Sequence, residues 1–168
     1  MEQISRRSML TTGGTAAAAL AAGRWVDPGP AAATSRISGG RAVRVADAFY
    51  RALQAKDLEA FAALWAPDAV WRAPITADGG PGVTVGRDAI VELLRGAFEI
   101  FGEVRFTWRL ERMLDPSRVL AFWTLDNELV AGGRYRNQGV AIFTVRRDLI
   151  VEFEEHFDTA AWLATFGS

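Results

Sequence analysis

The 168 residues of the chain suit one domain with an extension, and half of them are hydrophobic. The formal net charge is −1, so the chain lacks the excess of positive charge that attracts nucleic acid, and we expect no nucleic-acid partner. Because the chain has no cysteine and a single histidine, His156, disulfides, thiolate metal sites and multi-histidine metal sites are excluded. We expect no metal and no cofactor.

The first forty residues are predicted to precede the folded domain. The segment Ser5-Arg6-Arg7-Ser8-Met9-Leu10 comes before a short alanine-rich stretch that is too weakly apolar to span a bilayer. It resembles the twin-arginine export signal, with Met9 at the usual phenylalanine position. We expect a signal peptide at residues 1–33, a linker at 34–40, and export by the twin-arginine machinery to the periplasm or the exterior. Ala31-Ala32-Ala33 is the preferred cleavage site, and Ala19-Leu20-Ala21 is the alternative. A disordered leader in a cytoplasmic protein is the alternative.

From residue 41 the hydrophobic pattern becomes helical. Val45, Phe49 and Leu53, together with Tyr50, recur at three- and four-residue spacing and predict the first helix. Asp57 is positioned to cap a short second helix. Further along, residues 88–101 repeat apolar side chains on one face and predict a third helix.

Strands occupy most of the remaining chain. The alternating apolar residues predict strands at 69–73, 104–110, 119–130, 135–145 and 149–158, with a loop at 75–85 and a short last helix at 159–166. Gly132-Gly133 is typical of a hairpin turn. The order of elements indicates an α+β fold: a cone-shaped, curved antiparallel sheet whose concave face is covered by the three N-terminal helices.

Side-chain alternation on two strands predicts a pocket on the concave face. Phe153, Glu155 and Phe157 share one face of the last strand, and Asp126 is assigned inward on the strand at 119–130. Two carboxyl groups that face each other in an apolar pocket would share a proton, so Asp126 and Glu155 are the predicted catalytic acid and base. The predicted ligand-binding residues are Trp71, Phe122, Thr124, Phe153 and Phe157. The alternative is that arginines neutralise both carboxylates, the candidates being Arg72, Arg109, Arg134 and Arg136.

The same assignment leaves Trp123 and Leu125 on the outer face of the sheet. Apolar side chains of this size are rarely left in water, so the assignment predicts a homodimer packed through the convex face. A covering C-terminal helix is the alternative.

Several segments resemble the nuclear transport factor 2-like superfamily, in its SnoaL-like branch, across residues 41–167. They are Asp57-Leu58, Trp65-Ala66-Pro67-Asp68-Ala69-Val70-Trp71, Gly86-Arg87-Asp88-Ala89-Ile90 and the run from Ile150 to Asp158. The resemblance implies a cone-shaped fold that hosts isomerases, polyketide cyclases, epoxide hydrolases, dehydratases and non-catalytic binding domains.

Within that superfamily, Asp126 and Glu155 correspond to the two carboxylates of limonene epoxide hydrolases. The arginine of these hydrolases corresponds to Thr124, and their water-positioning tyrosine and asparagine correspond to Trp71 and Ala73. In ketosteroid isomerases, the general-base aspartate corresponds to Ala73. The SnoaL-type cyclases need one carboxylate beside an apolar pocket, which this sequence can provide. The resemblance therefore implies a cofactor-independent isomerase, cyclase or epoxide hydrolase acting on a small hydrophobic molecule, or a non-catalytic binding or scaffold domain.

Overall fold

The computed structural model describes residues 40–76 and 79–167, so the predicted signal peptide lies outside the described residues, as does most of the predicted linker. Four helices and six strands follow one another as α1 (Arg41–Ala55), α2 (Leu58–Ala63), β1 (Trp65–Ala73), β2 (Gly82–Val85), α3 (Arg87–Ile100), β3 (Phe106–Arg112), β4 (Arg118–Glu128), β5 (Arg134–Arg146), β6 (Leu149–Phe157) and α4 (Thr159–Phe166). Within this described part, no helix is long and apolar enough to cross a membrane.

Two neighbouring residues, Lys56 and Asp57, separate α1 from α2. Asp57 caps α2 by accepting a hydrogen bond of 2.9 Å from the backbone N–H of Ala60. The α1 helix ends at Lys56, whose backbone is left-handed with φ of 52°. The ammonium group of Lys56 then donates to the carbonyl oxygen of Phe98 near the end of α3, at 2.9 Å. The Lys56 contact therefore joins the end of α1 to α3.

The six strands form one curved, mixed sheet in the order β2-β1-β6-β5-β4-β3. The α+β class predicted from the sequence is confirmed. The expectation of a purely antiparallel sheet is wrong at one pair, because β1 runs parallel to β6. Trp71 of β1 pairs with Phe153 of β6 in this register, so the last strand of the chain lies beside the first.

Burial alternates sharply along β4. Val119, Ala121, Trp123, Leu125 and Asn127 are all buried on the concave side. The intervening residues of β4 therefore point to the convex side, so the inward assignment of Phe122, Thr124 and Asp126 is wrong by one residue. Trp123 and Leu125 are 7% exposed and lie inside the domain, so they cannot support the predicted homodimer.

One glycine of β5 allows unusually close packing on the concave side. A Cβ atom at Gly139 would lie 2.3 Å from the backbone oxygen of His156 and 2.8 Å from the indole ring of Trp123. No side chain fits in that space. Trp123 therefore packs directly over the β5 backbone.

Candidate functional site

A cavity in two compartments lies on the concave side of the sheet. We name the two compartments by their walls. The compartment against Phe49, Tyr50 and Leu53 of α1 is called the inner one and has a volume of about 140 Å³, and the compartment against Gly82 and Thr84 of β2 is called the outer one and has about 360 Å³. Their walls are predominantly apolar, as in sites that take small organic ligands. Among the described residues, six line both compartments and mark where they adjoin: Trp71, Leu94, Ala97, Glu155, Phe157 and Trp162.

Glu155 brings a carboxyl group to this junction. It lies on β6 between Phe153 and Phe157, and all three face the cavity as the strand alternation predicts. The indole Nε1–H of Trp71 donates to Glu155 Oε1 at 3.0 Å. Because β1 and β6 are hydrogen-bonded neighbours, this contact joins two elements that are 84 residues apart in the chain.

Burial raises the pKa of Glu155 to about 7, and the hydrogen bond from Trp71 works against this rise. No nearby cation of the described residues contributes to the shift. Near neutral pH the acid and carboxylate forms of Glu155 are therefore both well populated. A carboxyl group in this condition can both accept and donate a proton.

Asp126, the predicted partner of Glu155, lies on the opposite face of the sheet. Its carboxylate accepts from Arg134 Nη2 at 2.8 Å and from Arg136 Nε at 3.2 Å. The hydrogen bond from Arg134 is the largest cause that holds the pKa of Asp126 below its usual value. The predicted facing pair is therefore wrong, and for Asp126 the alternative of arginine neutralisation describes the structure.

Two of the predicted ligand-binding residues are also outside the cavity. Phe122 packs under the Arg109 guanidinium, which lies 4.4 Å from the ring centroid. Thr124 shares a hydroxyl–hydroxyl hydrogen bond of 2.5 Å with Thr107. The other three predicted ligand-binding residues do line the cavity: Trp71, Phe153 and Phe157.

The sequence reasoning missed several polar groups of the cavity. Tyr50 on α1, Asn127 on β4 and Trp162 on α4 all line the inner compartment. The helical pattern places Tyr50 among the apolar residues on the inner face of α1, and so gives no sign that Tyr50 lines a cavity. Asn127 lies on the same face of β4 as Trp123 and Leu125, so assigning that face to the interior would have identified Asn127 as a cavity residue.

No three His, Asp or Glu side chains come together as a potential metal site in the described ranges. Asn137, a polar residue near the hairpin, has a structural role instead. Its amide donates to the backbone oxygen of Asp158 at 3.0 Å, and its oxygen accepts from the Asp158 N–H at 3.0 Å. These bonds join β5 to the start of α4.

Comparison with known proteins identifies the fold family. The family model of the SnoaL-like domain matches residues 46–153, which is more than half of the chain. The chain belongs to the SnoaL-like domain family. A comparison with proteins of curated function gives no match for this SnoaL-like domain.

Solved structures share the fold of this SnoaL-like domain. A proposed isomerase from Bacillus subtilis is 23% identical, with a TM-score of 0.69, covering 76% of this chain and 94% of that one. TerC, co-crystallised with polyporic acid, is 24% identical, with a TM-score of 0.63 and coverage of 76% and 99%. A Mycobacterium tuberculosis protein in complex with estradiol-17beta-hemisuccinate is 19% identical, with a TM-score of 0.62 and coverage of 73% and 97%.

Proposed function

We propose that this SnoaL-like domain binds a small hydrophobic molecule and catalyses cofactor-independent proton transfer on it, as an isomerase or a cyclase does. The observation that carries the proposal is Glu155: a carboxyl group at the junction of two apolar compartments, with its pKa raised by burial to about 7. Perturbed carboxyl groups in apolar cavities are common at catalytic sites. One structural relative is in complex with an estradiol ester and another was co-crystallised with polyporic acid, and both molecules are hydrophobic and carry oxygen, which supports this ligand class.

The chemistry needs one group that moves a proton. Ionised Glu155 would remove a proton from the carbon beside a carbonyl group, leaving an enolate and a protonated carboxyl group. Where a carbon–carbon double bond adjoins that carbon, the enolate is a conjugated dienolate, and return of the proton to the far carbon shifts the double bond and completes an isomerisation. Attack of the enolate carbon on a second carbonyl of the same molecule, followed by protonation of the new alkoxide, completes a cyclisation. Both sequences restore Glu155 without a cofactor.

Epoxide hydrolysis with two carboxylates is not part of the proposal. Such a mechanism would need a second acid in the cavity, and Asp126 is on the convex face, bound to Arg134 and Arg136. A single-carboxylate reaction places no such demand on the site.

Hydrogen–deuterium exchange tests the proposal without knowledge of the natural substrate. In heavy water near pH 7, the wild-type domain should accelerate loss of the C2 protons of 1-tetralone, a bicyclic ketone, as followed by proton NMR. Glu155→Gln keeps the shape of the side chain and removes its titration, so it should slow the catalysed exchange by about 10²-fold or more. Equal exchange rates with wild type and Glu155→Gln would contradict the role of Glu155.

A non-catalytic binding domain is the second candidate function. The observation that favours it is that, among the residues the structure describes, Glu155 is the one carboxyl group that lines the cavity, where related hydrolases use two. Trp71 and Ala73 stand in place of their tyrosine and asparagine. Saturable binding of 1-tetralone with no accelerated exchange in the wild-type protein would support this candidate over the enzyme.

Export is a proposal that rests on Arg6-Arg7 in the sequence. Replacing both arginines with lysine in the full-length chain should leave the unprocessed precursor in the cytoplasm, as seen by fractionation and immunoblotting. If the Lys-Lys variant is cleaved and exported like the wild type, the twin-arginine assignment is wrong.

A homodimer through the convex face stays a prediction, now carried by other residues. Phe122 is 37% exposed there, and its strand neighbours Leu120, Val140 and Ile142 are partly buried on the same face. We expect dimers in sedimentation velocity at micromolar concentration, and monomers after Phe122→Asp. A wild-type monomer under these conditions would contradict the prediction.

A further inference from the structure

Strand β1 contains an irregular segment between its two tryptophans. Trp65 of β1 pairs with Ile150 of β6, and Val70 pairs with Glu152. Four residues of β1 therefore lie between these pairs, where the facing stretch of β6 has one. Three extra residues are accommodated in β1, as in a long β-bulge. Pro67 lies in this segment and has no backbone N–H to donate to a neighbouring strand.

The irregular segment brings the side chain of Trp65 onto that of Trp71. In a regular strand, two residues six positions apart would be separated by about 20 Å. In the structure the two ring centroids are 5.8 Å apart and the ring planes differ by 14°, so the indoles are stacked. Bulges often occur beside active sites, where they redirect a side chain. Here the bulge places one tryptophan behind another that lines the cavity.

The indole of Trp71 is held between aromatic rings. Besides the stack with Trp65, the ring of Phe153 meets it edge-on at 4.7 Å, and the ring of Phe49 lies at 6.2 Å. Phe49 and Phe153 also line the cavity, whereas Trp65 is 1% exposed and lines neither compartment. Trp65 can therefore influence the cavity only through its neighbours.

No side-chain hydrogen bond explains the presence of an indole at position 65. In the described part of the chain, the buried Nε1–H of Trp65 has no partner. An unpaired buried donor costs free energy that a phenylalanine at this position would avoid. The favourable contribution of Trp65 must therefore come from its ring surface. Among the rings that it contacts, Trp71 is the one that lies parallel to it.

We propose that Trp65 is a positioning residue for the proton-transfer site: by stacking on Trp71, it holds the indole N–H of Trp71 directed at the carboxyl group of Glu155. The inference rests on the proposed function, because it adds a residue to the same site. The Trp71 N–H reaches Glu155 Oε1 at 3.0 Å, and a hydrogen bond weakens steeply when its donor turns away. A Trp71 ring without its stack would donate less often, and ionised Glu155 would lose stabilisation.

Other titratable groups do not obscure the state of Glu155. Among the described residues that line the two compartments, Tyr50 of α1 and Tyr135 of β5 are the other titratable ones. Burial raises the pKa of Tyr135 to about 12 and the pKa of Tyr50 well above its usual value. Both hydroxyls therefore keep their protons near neutral pH. The α3 and α4 side chains at the junction of the compartments do not titrate.

Substitution of Trp65 tests the inference through the pKa of Glu155. In Trp65→Leu, NMR titration of the Glu155 side-chain carboxyl carbon should give a higher pKa than in wild type, because the bond from Trp71 is weakened. Tetralone exchange should slow by about threefold or more at about pH 6, and stay within about twofold of wild type at about pH 8.5, where Glu155 is mostly ionised in both proteins. A general loss of packing would instead slow exchange at both pH values.

Three further variants separate positioning from packing. Trp65→Phe keeps one stacked ring and should raise the Glu155 pKa by less than Trp65→Leu does. The double variant Trp65→Leu/Trp71→Phe should have the same Glu155 pKa as Trp71→Phe, because the N–H through which Trp65 acts is already absent. Phe61→Leu is the matched control. Phe61 is fully buried 5.6 Å from the Trp65 ring and, within the described ranges, has no ring contact with Trp71, so its loss should destabilise the domain without changing the Glu155 pKa.

The outcomes distinguish this inference from the proposed function. An unchanged or lower Glu155 pKa in Trp65→Leu would overturn the positioning role, as would an equal rise in Phe61→Leu or an additional rise in the double variant. If Trp65→Leu does not fold, Trp65→Phe decides the question, and an unchanged Glu155 pKa in that variant overturns the inference. If the wild-type domain does not accelerate tetralone exchange, the proposed function fails, whereas the carboxyl titration still tests the action of Trp65 on Glu155.

Discussion

Trp71 donates its indole N–H to the carboxyl group of Glu155 across the parallel pair of strands β1 and β6, at 3.0 Å. This hydrogen bond stabilises the ionised form of Glu155, whereas burial favours the protonated form. The pKa of about 7 is the balance of the two effects. Trp71 therefore tunes the group that we propose as the acid and base, and also shapes the cavity wall.

Trp71→Phe should raise the pKa of Glu155 further above its wild-type value, because the bond that lowers it is lost. The midpoint of the pH profile for tetralone exchange should move to higher pH, since the carboxylate is the proton-accepting form. NMR titration of the Glu155 side-chain carboxyl carbon measures the same shift directly. Trp162→Phe is the matched control, because Trp162 lines the same compartments and is not hydrogen-bonded to Glu155 in the structure. An unchanged midpoint in Trp71→Phe would contradict the prediction.

The stability of the folded domain should depend on the protonation of Glu155. Its folded pKa of about 7 exceeds the usual value of 4.5, so the folded state binds the proton more tightly than the unfolded state. The stability linked to this proton is complete below about pH 4.5 and is lost as the pH rises through about 7. The pKa difference corresponds to about 3 kcal/mol of unfolding free energy.

Urea unfolding at several pH values between 5 and 8 measures this loss. Glu155→Gln does not titrate and should therefore show a flatter stability profile over the same range. Parallel profiles for the two proteins would mean that the carboxyl group of Glu155 is not shifted by burial.

Asp126→Asn should leave tetralone binding and exchange within about twofold of wild type, because Asp126 is on the convex face and bound to two arginines. Its effect on stability should be small, about 1 kcal/mol or less, since exposed ion pairs contribute little. A loss of exchange comparable to that of Glu155→Gln would restore the two-carboxylate mechanism suggested by the sequence.

Gly139→Ala should destabilise the domain by about 2 kcal/mol or more, because the new methyl group would overlap a backbone oxygen of the neighbouring strand. The reduced midpoint would be seen in thermal or urea unfolding. Gly96→Ala provides the control, since the space around Gly96 on α3 is open and alanine favours helix. Equal stability of the two variants would contradict the close packing at Gly139.

Alternation identified the cavity-facing residues correctly on β6 and failed on β4, and the difference has a physical cause. On β6, the inner face carries Phe153 and Phe157 and the outer face carries charged residues, so the two faces are easily told apart. On β4, large apolar side chains occupy both faces, with Trp123 inside and Phe122 outside. Whether Asp126 or Asn127 faces the cavity then depends on how β4 pairs with β5, and the residue pattern within β4 gives no information on that pairing.

The parallel pairing of β1 with β6 was also beyond local reasoning. The class and the helices follow from residue spacing within short segments, and these predictions agree with the structure to within a few residues. Strand order instead depends on contacts between distant parts of the chain. The hydrogen bond from Trp71 to Glu155 exists because of that order. Residue spacing could therefore identify Glu155 and its flanking phenylalanines, but not the arrangement of the site or the side on which Asp126 lies.

The position of β6 has a consequence for how the protein is made. Although it is the last strand in the chain, β6 lies between β1 and β5 and connects the β1–β2 hairpin to the rest of the sheet. During synthesis, β1 and β5 therefore cannot be joined into one sheet until the C-terminal residues of β6 have been made. A chain that stops before Leu149 lacks Glu155 and also leaves one edge each of β1 and β5 without a partner, so premature termination would yield an aggregation-prone fragment.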